Sequence, residues 1–372
     1  MSHLSYIYSA KDLKELHSLT KDLAELNVRA YWRDLIFTAL IAWGFLYLAF
    51  VSTNGGLVQI LALLISALAF YRGANFVHDL SHSRGELESF KIAYNFLFGF
   101  FLRVPAYLGE SHIDHHSIAK FGTKSDPEYE AWSHRHELNV FRPLLASFVS
   151  PFLLMFRMVL VTCWYLVRGL GMQKAVFLNL SSIVMNFSYI RSNPTDLQLD
   201  EMLESDVSSL FFSLASFSIW ASYGFSLAGF LSYYSILVLS NGLFSFRALA
   251  NHRYDSKFQK RGPGAQFFDS VSVVPGTSAL SRWITALWAP LHSNYHSIHH
   301  LLPHMPYYAM PEIHKRLLDH PTWSKIYGQT TEESLFTGLR KLYGRARLNR
   351  LRSKLQPSEN DQIITSWSEF AD

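Results

Sequence analysis

Residues 35–71 read LIFTALIAWGFLYLAFVSTNGGLVQILALLISALAFY, 37 consecutive positions without a charge. As one helix this run would extend about 55 Å at 1.5 Å per residue, nearly twice the roughly 30 Å of a bilayer's hydrocarbon core. The chain must fold back, and Asn54-Gly55-Gly56 supplies the turn residues for it. Two apolar arms, 35–52 and 57–72, therefore predict a membrane-spanning helical hairpin.

Residues 207–246 repeat the device: 40 uncharged positions with Gly224 and Gly229 near the middle predict spans at about 207–224 and 227–246. Arg29 and Arg33 precede the first hairpin, Arg72 and Arg84 follow it, and Arg247, Arg253 and Lys257 follow the second; neither tip carries a basic residue. That bias puts the flanks and both termini on the cytoplasmic side. Three further apolar stretches are less clean. Residues 92–109 contain Arg103 and Pro105, 144–167 contain Pro151 and Arg157, and 175–190 are short with two asparagines, so all three read as interfacial or re-entrant.

Composition agrees with a membrane protein. Of 372 residues 49% are hydrophobic and only 17% charged, against roughly 25% charged in soluble domains. A net charge of +4 is too small a bias to argue for nucleic acid. Cys163 is the sole cysteine, which excludes an internal disulfide and any cysteine-ligated iron–sulfur or rubredoxin centre. Any redox metal needs other ligands.

The expected fold is all-α and integral to the membrane: two transmembrane hairpins, interfacial helices and a cytoplasmic helical cap. Residues 1–34 form a cytoplasmic amphipathic segment, 35–320 the membrane domain with its cap at 78–142 and 247–320, and 321–372 a basic cytoplasmic tail. Within that tail, 339–355 hold seven basic residues and no acid, suited to anionic headgroups or to an acidic redox partner.

The 17 histidines cluster as HDLSH (78–82), HIDHH (112–116) and HSIHH (296–300). On a helix, positions three and four apart share a face, so each cluster reads as a comb of imidazoles aimed at one point. The first cluster follows the first hairpin and His252 follows the second, so all of them fall on one side of the membrane. His78, His82, His112, His115, His116, His252, His296, His299 and His300 make nine imidazoles, enough for two metal ions; imidazole alone leaves iron, zinc, copper and nickel open. Asp79, Glu110, Asp114, Asp126, Asn251 and Asp269 are the candidates for orienting those rings.

These clusters resemble the three histidine boxes of the integral-membrane fatty acid desaturase and hydroxylase superfamily, across roughly 78–314. HIDHHSIAKFGTKSDPE and NYHSIHHLLPHMPYYAMPEIH are similar to the second and third boxes of its acyl-lipid desaturase branch. The resemblance implies a histidine-ligated diiron site, with the eight box histidines as ligands and His252 as a ninth. It implies two iron ions, molecular oxygen as co-substrate and a lipid acyl chain as substrate. The acyl-CoA branch has an asparagine four residues before the ninth histidine, where this chain has Ala248. The His-Pro-Gly-Gly motif of a fused cytochrome domain is missing, so an external ferredoxin or cytochrome would deliver electrons.

An acyl-lipid desaturase is the leading expectation, and a lipid or carotenoid hydroxylase or ketolase of the same superfamily the alternative. A histidine-rich metal transporter would carry ligands inside its spans; neither uncharged run contains a histidine. The aromatic residues of 211–234 would either face lipid or line an acyl tunnel.

Overall fold

The structure is a computed structural model that describes residues 9–52, 56–83, 85–130, 132, 135–183, 185–255 and 264–355. Asn54, Gly55, Arg84 and Lys257, named above, lie outside the described residues, as does the end of the basic tail. The chain is mostly helical. Its one sheet among the described residues pairs two short parallel strands, β1 (Ser272–Val273) and β2 (Thr331–Glu332), with Ser272 opposite Thr331.

Helix α1 (Ala10–Thr20) begins at a capping box in which Ser9 and Asp12 satisfy each other's backbone N–H. Helices α2 (Val28–Val51) and α3 (Leu57–Ala74) form the first hairpin. Small residues, among them Ala39, Ala42, Ala62 and Ala67, are buried there and let the backbones approach, and Ser66 donates to the Ala42 carbonyl at 2.9 Å. Arg72 closes the hairpin on the Asp34 carboxylate (3.4 Å) and the Thr38 hydroxyl (3.1 Å). Ile36, Phe37, Leu40, Leu57, Val58 and Ile60 point outward as an apolar coat. Asn75 keeps helical dihedrals, so α4 (Phe76–His82) continues α3 and the first box occupies its last two turns.

Residues 88–116 form a bent helical pair, the geometry of either a broken span or a re-entrant loop. Arg103 adopts a left-handed conformation, φ 64°, and the helical segments 88–102 and 106–116 meet at 90° around it. The buried guanidinium donates to Tyr233 Oη (3.2 Å) and to Ser213 Oγ. The second arm ends in α5 (His112–His116), the second box.

Among the described residues, four helices are long and apolar enough to cross a membrane: 28–51, 57–82, 150–168 and 227–251. This set differs from the sequence expectation in one place. The helix α6 (Asp196–Ser222) falls short, because serines at 208, 209, 213, 216, 218 and 222 dilute the apolar half of it, while 150–168, expected to be interfacial, qualifies. Contacts locate the ends of both. After 150–168 and the 11-residue helix Leu170–Leu180, the chain is back beside the second box: Met185 N–H reaches the Pro127 carbonyl (2.9 Å) and Tyr189 Oη the Asp114 carboxylate (2.7 Å). The far end of α6 lies at the tip of the first hairpin, where the Tyr223 and Phe50 rings are 6.4 Å apart. Gly224, φ 76°, then turns the chain into α7 (Leu227–Asn251), which packs along α3 and ends at His252.

The third box is α8 (His296–Leu301), following two left-handed residues, Leu291 and His292. Ser297 Oγ lies 2.7 Å from Ser272 Oγ and 2.8 Å from Thr330 Oγ1, a buried hydroxyl chain that ties α8 to both strands. Leu16 of α1 shares a core with Trp323, Ile326 and Tyr327. The basic helix α9 (Leu335–Leu355) buries Leu342 and Ala346.

Candidate metal centre

All nine imidazoles meet at one place, in two adjoining groups. In the first, His78, His82, His112 and His299 each offer a nitrogen within 4.8 Å of the others; His115, His252, His296 and His300 do the same in the second. His116 joins the first group, its Nε2 being 3.0 Å from His112 Nε2 and 2.9 Å from His299 Nε2. Its ring stacks on His300 of the second group at 4.3 Å between centroids.

The expectation that each cluster aims at one point needs correction: the second and third boxes are split. Residues four apart on a helix share a face more closely than residues three apart. Accordingly His112 and His116 serve the first group while His115 serves the second. In α8 the assignment is reversed, with His296 and His300 in the second group and His299 in the first.

Three rings have an anion or hydroxyl behind them. Asp126, fully buried and receiving the N–H groups of Gly122, Glu128 and Tyr129, faces His115 Nδ1 at 2.9 and 3.1 Å. Glu128 Oε1 is 2.5 Å from His112 Nδ1. Asp269 Oδ2 is 3.3 Å from His252 Nδ1, without the alignment of a hydrogen bond, and Ser270 Oγ is 3.4 Å away. A carboxylate at Nδ1 fixes the proton there and leaves Nε2 with a lone pair. Yet His115 Nε2 lies 3.0 Å from His252 Nε2, which lies 3.0 Å from His296 Nε2. Converging lone pairs repel, and a cation among them is the natural partner. His78 Nε2 and His82 Nε2 are buried with no hydrogen-bond partner in the protein. The donor set thus fits metal ions.

Burial, reinforced by neighbouring imidazoles, holds His116, His296, His299 and His300 well below the usual histidine value. They are neutral, the form that ligates. His115 is shifted upward: burial opposes its charge, but Asp126 outweighs burial. Glu128 is pulled down to about 2, burial opposing and the facing His112 prevailing.

Of the residues expected to orient ligands, Asp126 and Asp269 reach them. Asp79 instead accepts from Tyr31 Oη (3.1 Å), Glu110 pairs with Arg191 (2.8 Å) and Asp114 with Lys120 (2.7 Å). Asn251 lines a small cavity between His78 and His252. Sequence reasoning missed Glu128, although it follows Asp126 by two residues within the stretch quoted for the second box.

A larger cavity of about 260 Å³ opens on the first group, with His78, His82, His296 and His299 on its wall beside Asn75, Asp79, Arg247 and Ser293.

A family model for fatty acid desaturases matches residues 54–327, which include every one of the nine histidines. The chain belongs to the fatty acid desaturase family. It is also similar to a ceramide hydroxylase of Caulobacter vibrioides (strain NA1000 / CB15N), 31% identical over 351 residues that cover 93% of this chain and 97% of that protein. Family membership and the four apolar helices make it a membrane protein, and an enzyme of the desaturase and hydroxylase superfamily.

Proposed function

We propose that this chain hydroxylates a ceramide-class lipid in the membrane, inserting one atom of molecular oxygen into a C–H bond. The observation that carries the reading is similarity to a ceramide hydroxylase along nearly the whole of both chains, joined to nine convergent imidazoles. The reaction balances as R–H + O₂ + 2 electrons + 2 protons giving R–OH and water, with the electrons drawn from a separate donor protein. Acyl-lipid desaturation, the leading expectation from the sequence, becomes the second reading; the family match favours neither outcome over the other.

His78, His82, His112, His116 and His299 would hold one metal ion, and His115, His252, His296 and His300 the other, iron by family. Two irons bound there supply the activation of oxygen that no side chain can provide. The protein's own contribution is orientation. Asp126 and Glu128 keep Nδ1 protonated on two rings and turn their Nε2 lone pairs inward, while Asp269 stands behind a third. The surrounding core, including Phe121, Tyr129 and Tyr254 against His252, keeps bulk water from the second group.

In the membrane, α2 with α3 and α6 with α7 would form the two hairpins. The chain leaves the second box after residue 130 and is back beside it at 185–189, so the helix 150–168 between them would enter the bilayer and return. The ends of the hairpins that carry the histidines, with both termini, would face the cytoplasm, as their Arg and Lys flanks suggest. The exposed Arg340, Arg347 and Arg352 of α9 would receive an acidic electron donor.

The test is expression in a ceramide-producing host, followed by lipid mass spectrometry. The expected product is ceramide heavier by one oxygen, lost with His299→Ala. A product lighter by two hydrogens would install the desaturase reading instead.

A further inference from the structure

The cavity on the first histidine group has a wall unlike that of an acyl tunnel. Two of its polar side chains, Asn75 and Arg247, are only 2% and 3% exposed. Asn75 Nδ2 donates to the Tyr71 carbonyl (2.7 Å), but its Oδ1 has no partner, and neither has Arg247 Nε. Ser293 Oγ, also on this wall, is buried and unpartnered as well. Arg247 has Tyr71 beside it and sits 4.9 Å from the Phe244 ring, with no carboxylate in ion-pair range among the described residues. A buried donor or acceptor left unpaired forfeits its hydration with nothing in return. Several of them together beside a metal site mark a place that a polar ligand completes.

The wall offers both kinds of partner. Arg247 Nε and Ser293 Oγ donate, while Asn75 Oδ1 and the neighbouring Asp79 carboxylate accept. A carboxylate or phosphate would satisfy the donors but bring no N–H or O–H for Asn75 Oδ1. A secondary amide flanked by hydroxyls carries a carbonyl to accept and N–H and O–H groups to give, so it matches both. The cavity's volume of about 260 Å³ is also below the roughly 300–1,000 Å³ of sites that enclose a whole drug-sized molecule. It takes part of a lipid, not a two-chain lipid entire.

We infer that Asn75, Arg247 and Ser293 bind the amide and adjoining hydroxyls of the substrate beside the first histidine group, so that oxidation falls on a carbon next to the amide and not in mid-chain. This rests on the ceramide reading and narrows it. The amide carbonyl accepts from Arg247, the amide N–H donates to Asn75 Oδ1, and both hydrocarbon chains leave the cavity toward lipid. The hydroxyl then appears on the α- or β-carbon of the acyl chain, or on a base carbon flanking the nitrogen.

The test pairs an edit of the ligand with edits of the protein. Binding of a fluorescent ceramide to the full-length, iron-loaded protein in lipid nanodiscs is compared with binding of its ester analogue, in which oxygen replaces the amide N–H. Wild type should prefer the amide by about tenfold, the loss of one buried hydrogen bond with its acceptor left unpaired. Asn75→Leu should erase that preference, while Arg247→Lys should weaken amide and ester alike, since both keep the carbonyl. Iron content and nanodisc insertion check that the variants fold, and the ester comparison in wild type needs no variant at all. Fragmentation of the hydroxylated product should locate oxygen next to the amide. Equal binding of amide and ester by wild type, or a hydroxyl in mid-chain, overturns the inference and leaves ceramide hydroxylation standing. Amide-selective binding that depends on Asn75, with no oxygenated ceramide formed, upholds the binding site and overturns the reaction assigned to it.

Discussion

The two histidine groups are built from the same helices and differ in what surrounds them. Every member of the second is buried, and Asp126, Asp269 and Ser270 stand behind two of its four rings. In the first, His78 and His82 are only partly buried, their Nε2 atoms have no hydrogen-bond partner among the described residues, and three of the five rings border the cavity. The first group meets the larger cavity through three rings, the second through His296 alone. The first group is therefore the more open of the two toward the cavity, and the second the more enclosed.

The largest effect should come from removing one ligand from each group. His299→Ala and His300→Ala should both abolish turnover, and metal analysis of the purified variants should read about one iron per chain instead of two. Two irons retained in both variants would dissolve the division into groups.

Orienting carboxylates come next. Asp126→Asn should weaken metal retention in the second group by about 10- to 100-fold, measured by competition with a chelator. Glu128→Gln should cost less, because its side chain is 26% exposed and water can replace it, whereas Asp126 is 0% exposed. Equal losses would mean that the second group is no better enclosed than the first. Ser270→Ala, which removes a single long contact to His252, should lower chelator resistance by about fivefold.

The smallest changes lie away from both groups. Arg347→Glu on the exposed face of α9 should slow reduction by an acidic donor at low salt and do so less at high salt. Phe217→Ala, on the outward face of α6 where the ring is 57% exposed, should shift stability by no more than about 0.5 kcal/mol in a thermal melt.

The histidines themselves were legible because metal chemistry selects a rare side chain and helix geometry dictates its spacing. Their partition was not, since it depends on how far each short helix is rotated against the others, a tertiary property. Orienting acids show the same limit. Asp79 and Asp114 each sit next to a box histidine in sequence, but neighbouring positions on a helix diverge by about 100°, so their carboxylates find Tyr31 and Lys120 instead. Asp126 succeeds from eleven residues away because its loop folds back. The first hairpin was readable from charge and length, while the serine-diluted α6 and the apolar 150–168 stretch exchanged roles on hydropathy; only their contacts tell where each one ends.

Arg103 carries one more consequence. It anchors the bend between the 88–102 and 106–116 segments by reaching Ser213 and Tyr233, more than a hundred residues later in the chain. During synthesis the bend therefore cannot lock until residue 233, early in α7, has been made. A chain truncated before residue 233 would lose the Tyr233 anchor of the bend together with His252, His296, His299 and His300.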